Sequence, residues 1–388
     1  MGQDRQVLRR PRRLKRVVSP WKAARPGDPA GAIDTPALVL HLDAFERNLQ
    51  RMADALRGRN VRLRAHAKSH KCPDIALRQV ALGAIGICCQ KVSEAAVFAQ
   101  AGIADILVTN QVVGAAKLRR LAPLARKARI GVLVDHLLQI QPLADAAQAH
   151  GVTLDVYVEV NVGANRCGVA PGVEAVPLAR QIAQSPGLRF AGLQCYHGPA
   201  QHLRLPQERR DAIAGACEAA RSTARAIEAC GIAVERITGA GTGSFVNELG
   251  SGVFNEIQAG SYVFMDRDYG DNQRGPDDVA FEHALFVRTT VMSRATAHRA
   301  VVDAGLKASS VDSGLPAVWQ RPGVRYAKAA DEHGVLETAD ADSVALGDVL
   351  LLVPGHCDPT VNLYDELVCF RGDRVEALWP VAARGALL

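Results

Sequence analysis

The sequence predicts an α/β chain, a (β/α)8 barrel of the TIM type followed by a mostly antiparallel β domain. Three observations carry this. Short apolar strands alternate with helical patterns roughly eight times over about 230 residues. Past about Gly275 the helical periodicity gives way to strands joined by turns. A chain of 388 residues also exceeds what one hydrophobic core usually serves. A doubly wound open sheet would show similar alternation, and periodicity alone leaves it open.

Residues 1–30 read as a basic, loosely ordered extension. Arg5, Arg9, Arg10, Arg12, Arg13, Lys15 and Arg16 supply much of the net charge of +6. No apolar stretch follows them, as a targeting signal would need. No aromatic residues interleave with the charges, which argues against a nucleic-acid partner. Residues 34–42 form a turn and a strand. Residues 43–56 form a helix on the spacing Phe45, Leu49, Met52, Leu56, with Asp43 placed to cap it. Strands then recur at 60–64, 85–89, 106–109, 130–134, 154–160, 190–195, 236–238 and 256–259, most of them leading into a helix. The barrel is expected over 31–277 and the β domain over 278–388, with strands at 286–292, 299–303, 349–353 and 366–370.

Hydrophobic content of 48% and charge of 22% describe an ordinary globular protein. No run of about 18 apolar residues is present, so no membrane helix is expected. Nine cysteines without a CxxC pair point to reduced thiols in a cytoplasmic setting.

Chemistry concentrates in Arg64-Ala-His-Ala-Lys-Ser-His-Lys71, at a strand end. Crowding of Lys68 by Arg64, His66, His70 and Lys71 would lower its pKa, as a Schiff-base nucleophile requires. A basic surface loop would read the same way. Further polar and glycine residues follow later strands: Arg166; Tyr196, His197 and His202; Gly239-Ala-Gly-Thr-Gly243; and Gly260-Ser-Tyr262. The two glycine turns could hold a phosphate on their N–H groups, aided by Thr242 and Ser261, or could serve only as tight turns. With a candidate Schiff-base lysine they point to pyridoxal phosphate. In the β domain, His356 and Asp358 stand two apart. In extended backbone they share a side and Cys357 faces away, which makes half of a site for Mn²⁺, Mg²⁺ or Zn²⁺.

From about Asp34 to the C-terminus the chain resembles the fold-type III pyridoxal-phosphate enzymes, in particular the D-threonine aldolase/D-serine dehydratase group. The stretch 64–71 resembles that group's Arg-Pro-His-x-Lys-Thr/Ala-His-Lys, with Ala65 in place of proline. Segments 86–95, Arg166-Cys-Gly168, Tyr196-His-Gly198, Gly241-Thr-Gly243, Gly260-Ser-Tyr262 and Asp331-Glu-His-Gly334 are similar too. The resemblance implies that Lys68 holds the cofactor, with Gln90, Arg166 and Tyr196 around its ring. It implies Thr242, Gly243, Gly260 and Ser261 at the phosphate, with Tyr262 of the same turn among the contacts. It also implies His356 and Asp358 on a divalent metal and His202 as base. Dehydratases of the group carry His-x-Cys where this chain has Asp358, the aldolase-like form. An oxygen ligand favours Mn²⁺ or Mg²⁺ over Zn²⁺. The expected activity is cleavage of a small D-3-hydroxy-amino acid to glycine and an aldehyde by a homodimer. The alternatives are a dehydratase using the same site and a non-catalytic cofactor-binding regulator. His197, His66 and His70 are expected to pack or to shape loops rather than to react.

Overall fold

A computed structural model describes residues 21–340 and 342–388. The basic cluster at 5–16 lies outside the described residues. Strand β1 (Ala37–His41) leads directly into α1 (Leu42–Leu56). The helix is capped by His41, whose Nδ1 accepts the Ala44 N–H at 3.3 Å. Asp43, the expected cap, instead pairs with Arg371.

Eight parallel strands then close the barrel: β2 (Arg62–His66), β3 (Gly86–Cys89), β4 (Asp105–Gln111), β5 (Arg129–Val134), β6 (Leu154–Glu159), β7 (Leu188–Cys195), β8 (Ile237–Gly239) and β9 (Glu256–Ile257). Helices α2 (Pro73–Ala81), α3 (Val92–Gln100), α4 (Ala115–Leu121), α5 (Ile140–His150), α6 (Val176–Gln184), α7 (Pro206–Glu228) and α8 (Phe245–Gly250) intervene, and α9 (Arg267–Gly270) follows β9. The helices lay apolar faces on the outward side chains of the strands, for example Phe98 and Ile182 against Ile106 and Val156. Inside the barrel, Cys88, Leu107, Leu133, Tyr157 and Ala191 pack together. The buried Arg64 guanidinium joins Glu256 at 2.9 Å and Asp105 at 2.6 Å beside them.

The remaining strands are β10 (Leu285–Thr296), β11 (Arg299–Val302), β12 (Ala317–Val318), β13 (Val324–Ala329), β14 (Gly334–Thr338), β15 (Val349–Val353), β16 (Glu366–Arg371) and β17 (Arg374–Pro380), with α10 (Cys357–Val361) between β15 and β16. They form a mostly antiparallel sheet with the central order β13-β14-β11-β10-β1-β16-β17. Strand β1, counted with the barrel in the sequence reading, lies in this sheet, antiparallel to β10 and parallel to β16. Its local pattern says strand; long-range pairing decides which sheet. Residues 21–30, expected to be loosely ordered, bond to the β16–β17 hairpin: Gly27 N–H donates to Val375 O at 2.8 Å and Ala30 N–H to Asp373 O at 2.6 Å. Both units therefore reach the site together, because α10 of the sheet packs on the turn that follows β2.

Candidate active site

Strand β2 ends at His66, and a 3-10 turn over Ala67–Ser69 carries Lys68 into a cavity at the C-terminal end of the barrel. The turn is held from below. His66 Nδ1 accepts the Lys68 N–H at 3.4 Å, and its Nε2 donates to Thr109 Oγ1 at 3.0 Å. Lys68 Nζ forms an ion pair with Asp358 Oδ2. Burial lowers the Lys68 pKa, but the charge and hydrogen bond of Asp358, together with Tyr196 and Cys357, outweigh it and the net shift is upward. The expected lowering therefore does not occur, because Asp358 stands at the amine and two of its basic neighbours are themselves paired with carboxylates. Arg64 faces Glu256 and Asp105, and Lys71 pairs with Glu94 at 2.5 Å. His66 and His70 are pushed down by burial, His70 to about 4.

Lys68 shares the cavity wall with Gln90, Arg166, Tyr196, Thr242, Gly260 and Ser261. The backbone N–H groups of Gly241, Thr242, Gly260 and Ser261 are in buried residues and have no acceptor among the described residues. Buried N–H groups left so are costly, about 1–3 kcal/mol each, and a cluster at two adjoining turns fits an anion. Gly260 is required by proximity: a Cβ there would stand 2.5 Å from the His66 carbonyl oxygen. These residues fit a phosphate-bearing cofactor.

Two predicted contacts differ. Gly243 directs its N–H to Gln201 Oε1 at 3.0 Å, behind the cavity. The Tyr262 hydroxyl accepts from Gln79 Nε2 at 3.1 Å, and its N–H donates to Thr242 Oγ1 at 3.0 Å, so its side chain is directed into the core. It braces the turn from outside.

His356 and Asp358 come together beside Lys68, Nε2 to Oδ1 3.8 Å. With metal–ligand bonds of about 2.1 Å, two donors on one ion can stand up to roughly 4.2 Å apart, so the pair fits a divalent metal. Cys357 does not face away. The backbone turns helical there, and its Sγ lies 3.3 Å from Asp358 Oδ1. His356 Nδ1 donates to Asp266 Oδ2 at 2.8 Å. His202, half exposed at the end of a 3-10 turn, donates from Nδ1 to Asp268 Oδ2 at 2.6 Å. The Tyr269 ring lies between them, 6.0 Å from the His202 ring and 6.4 Å from the His356 ring. His197 Nδ1 accepts the Ala200 N–H at 3.2 Å.

Thr109, Glu159, Gln194, Gln258 and Tyr269 also line the cavity and escaped the sequence reading. Glu159 and Gln258 sit at or just past the ends of β6 and β9, and Gln194 and Thr109 stand one and two residues before the ends of β7 and β4. A polar residue closing an otherwise apolar strand was the available signal.

Residues 40–268 match the family described as alanine racemase, N-terminal domain, and residues 284–370 match the putative serine dehydratase domain. The chain belongs to the alanine racemase N-terminal-domain family. Among relatives in it, a D-threonine aldolase of Arthrobacter sp. is 50% identical over 364 residues, covering 93% of this chain and 96% of the relative. A 3-hydroxy-D-aspartate aldolase of Paracoccus denitrificans is 47% identical over 368 residues, covering 93% and 95%. The crystal structure of D-threonine aldolase from Filomicrobium marinum superposes with a TM-score of 0.93 at 53% identity, covering 95% of this chain and 100% of that one. Within the described residues, no helix is long and apolar enough to cross a membrane.

Proposed function

We propose that this chain is a carbon–carbon lyase, an aldolase that cleaves D-3-hydroxy-amino acids to glycine and an aldehyde with pyridoxal phosphate and a divalent metal. The observation that carries it is convergence. Lys68 and the two N–H-rich turns line one cavity, and Lys68 is ion-paired with Asp358 of the His356–Asp358 pair, in a chain 47–50% identical to aldolases of this substrate class. When bound, the cofactor withdraws electrons from the substrate's α-carbon and the metal polarises its β-hydroxyl.

The chain's own residues divide the remaining work. Lys68 Nζ carries the cofactor. The N–H groups of Gly241, Thr242, Gly260 and Ser261, with the two hydroxyls, take its phosphate. Gln90, Arg166 and Tyr196 border its ring. His356 Nε2 and Asp358 Oδ1 hold the ion, and the oxygen donor favours Mn²⁺ or Mg²⁺ over Zn²⁺. His202 has its Nδ1 on Asp268, so Nε2 is the atom that removes the hydroxyl proton. Exposed Val113, Leu138 and Val173, on loops past β4, β5 and β6, suit a homodimer that covers the barrel mouth. Nine free cysteines suit a reducing cytoplasm.

A substrate panel tests the reading. D-threonine, D-3-hydroxyaspartate and a D-3-aryl serine should each be assayed beside its L enantiomer. Glycine and aldehyde in equal amounts from at least one D substrate are expected. An oxo acid with ammonia would mark the site as a dehydratase instead.

A further inference from the structure

The two histidines assigned opposite tasks are held by one short segment. Asp266 is fully buried. Its Oδ2 accepts both His356 Nδ1 at 2.8 Å and the Cys357 N–H at 2.9 Å, while its Oδ1 accepts the Tyr269 N–H at 3.0 Å. Two residues on, Asp268 accepts His202 Nδ1 through Oδ2 at 2.6 Å and Arg204 Nη2 through Oδ1 at 2.5 Å. The segment is tied to the β-domain loop by Arg267 N–H to Pro354 O at 3.0 Å and Asp268 N–H to Gly355 O at 3.1 Å. A carboxylate oxygen accepts, so each imidazole carries its hydrogen on Nδ1, and in the neutral ring this leaves Nε2 bare. A metal ligand and a general base both need a bare Nε2. Asp266 has both oxygens engaged by three N–H groups of the chain, which makes it an orienter of His356 rather than a third ligand.

We propose that Asp266 and Asp268 are paired positioning residues, Asp266 fixing His356 for the metal and Asp268 fixing His202 for the substrate hydroxyl. This rests on the aldolase reading of His356 and His202. The two carboxylates lie on one backbone segment bonded to the metal-bearing loop, so the segment sets the distance between ion and base, with Tyr269 as the spacer.

The test uses the full-length holoenzyme and Mn²⁺, with affinity read by titration calorimetry and turnover read separately. D266A should weaken Mn²⁺ binding about 10–100-fold while the cofactor stays bound. D266N, whose amide oxygen still accepts from Nδ1, should fall between D266A and the parent, and it carries the test if D266A does not fold. D268A should leave Mn²⁺ affinity within about twofold and lower kcat at saturating Mn²⁺ by about tenfold or more. A merely structural role would move both readouts together in both variants, and that result overturns the proposal. So does unchanged Mn²⁺ affinity in D266A and D266N when H356A has lost it. If H356A itself binds Mn²⁺ like the parent, the metal reading falls and this inference with it.

Discussion

The Lys68 ammonium and the Asp358 carboxylate, 290 positions apart, form an ion pair between the turn after β2 and the first turn of α10. It joins the barrel's amine to the β domain's carboxylate, one contact between the two parts of the candidate site. It also bears on the amine's charge, since Asp358, with Tyr196 and Cys357, outweighs burial and holds the Lys68 pKa above its ordinary value.

Replacing Asp358 by Asn should leave burial to act on Lys68 without the opposing charge. Its pKa then falls, and the uncharged fraction at pH 7 rises. Pyridoxal phosphate loading of metal-free protein at pH 7, followed by absorbance, should quicken by about tenfold or more. The same variant should lose Mn²⁺ affinity. An unchanged pH profile of loading would show that the pair does not control the amine.

Gly260→Ala tests the close approach of the turn after β9 to β2. The added Cβ would meet the His66 carbonyl oxygen at 2.5 Å, and backbone cannot yield as a side-chain end can. Overpacking of this kind costs about 1–3 kcal/mol. It also displaces both Ser261 and the Lys68 turn. Weaker cofactor binding by at least about tenfold is expected in equilibrium dialysis, with a lowered thermal midpoint. Wild-type affinity would mean that the turn has room to shift.

Glu248 makes stability depend on pH. It is buried on α8 behind the glycine turn, with Oε1 2.8 Å from Ser244 Oγ and Oε2 without a partner among the described residues. Burial raises its pKa to about 7. The folded state therefore holds a proton that the unfolded chain releases as pH rises through the ordinary carboxylate range. Stability falls from about pH 4.5 to pH 7, and above that the full cost is about 3 kcal/mol. Glu248→Gln should remove this slope. Denaturant unfolding at pH 5 and pH 8 should show a smaller difference for the variant than for the parent, and equal differences would refute the assignment.

Much of this was legible in the chain, for reasons tied to range. The strand–helix alternation is local, so the eight barrel strands and the change to β structure after 275 could be read directly. The sheet that β1 joins could not, because pairing with β10 and β16 spans most of the chain. Lys68 was legible from its strand-end setting, but its charge state was not. Glu256, Asp105, Glu94 and Asp358, which neutralise its basic neighbours or pair with it, are all distant in sequence from Lys68. His356 and Asp358 were visible as a motif, although the α-helical turn that brings Cys357 inward was not. Asp266 and Asp268 lay beside an ordinary turn, and only the packing of α9 on the 354–358 loop and on the 3-10 turn 199–202 gives them their histidines.

The most direct test is product analysis after incubating the protein with D-threonine, pyridoxal phosphate and Mn²⁺, beside an EDTA control. Glycine and acetaldehyde in equal amounts, lost with EDTA and restored by added Mn²⁺, are the predicted result. 2-Oxobutanoate and ammonia, or cleavage indifferent to EDTA, would contradict the metal-assisted aldolase account.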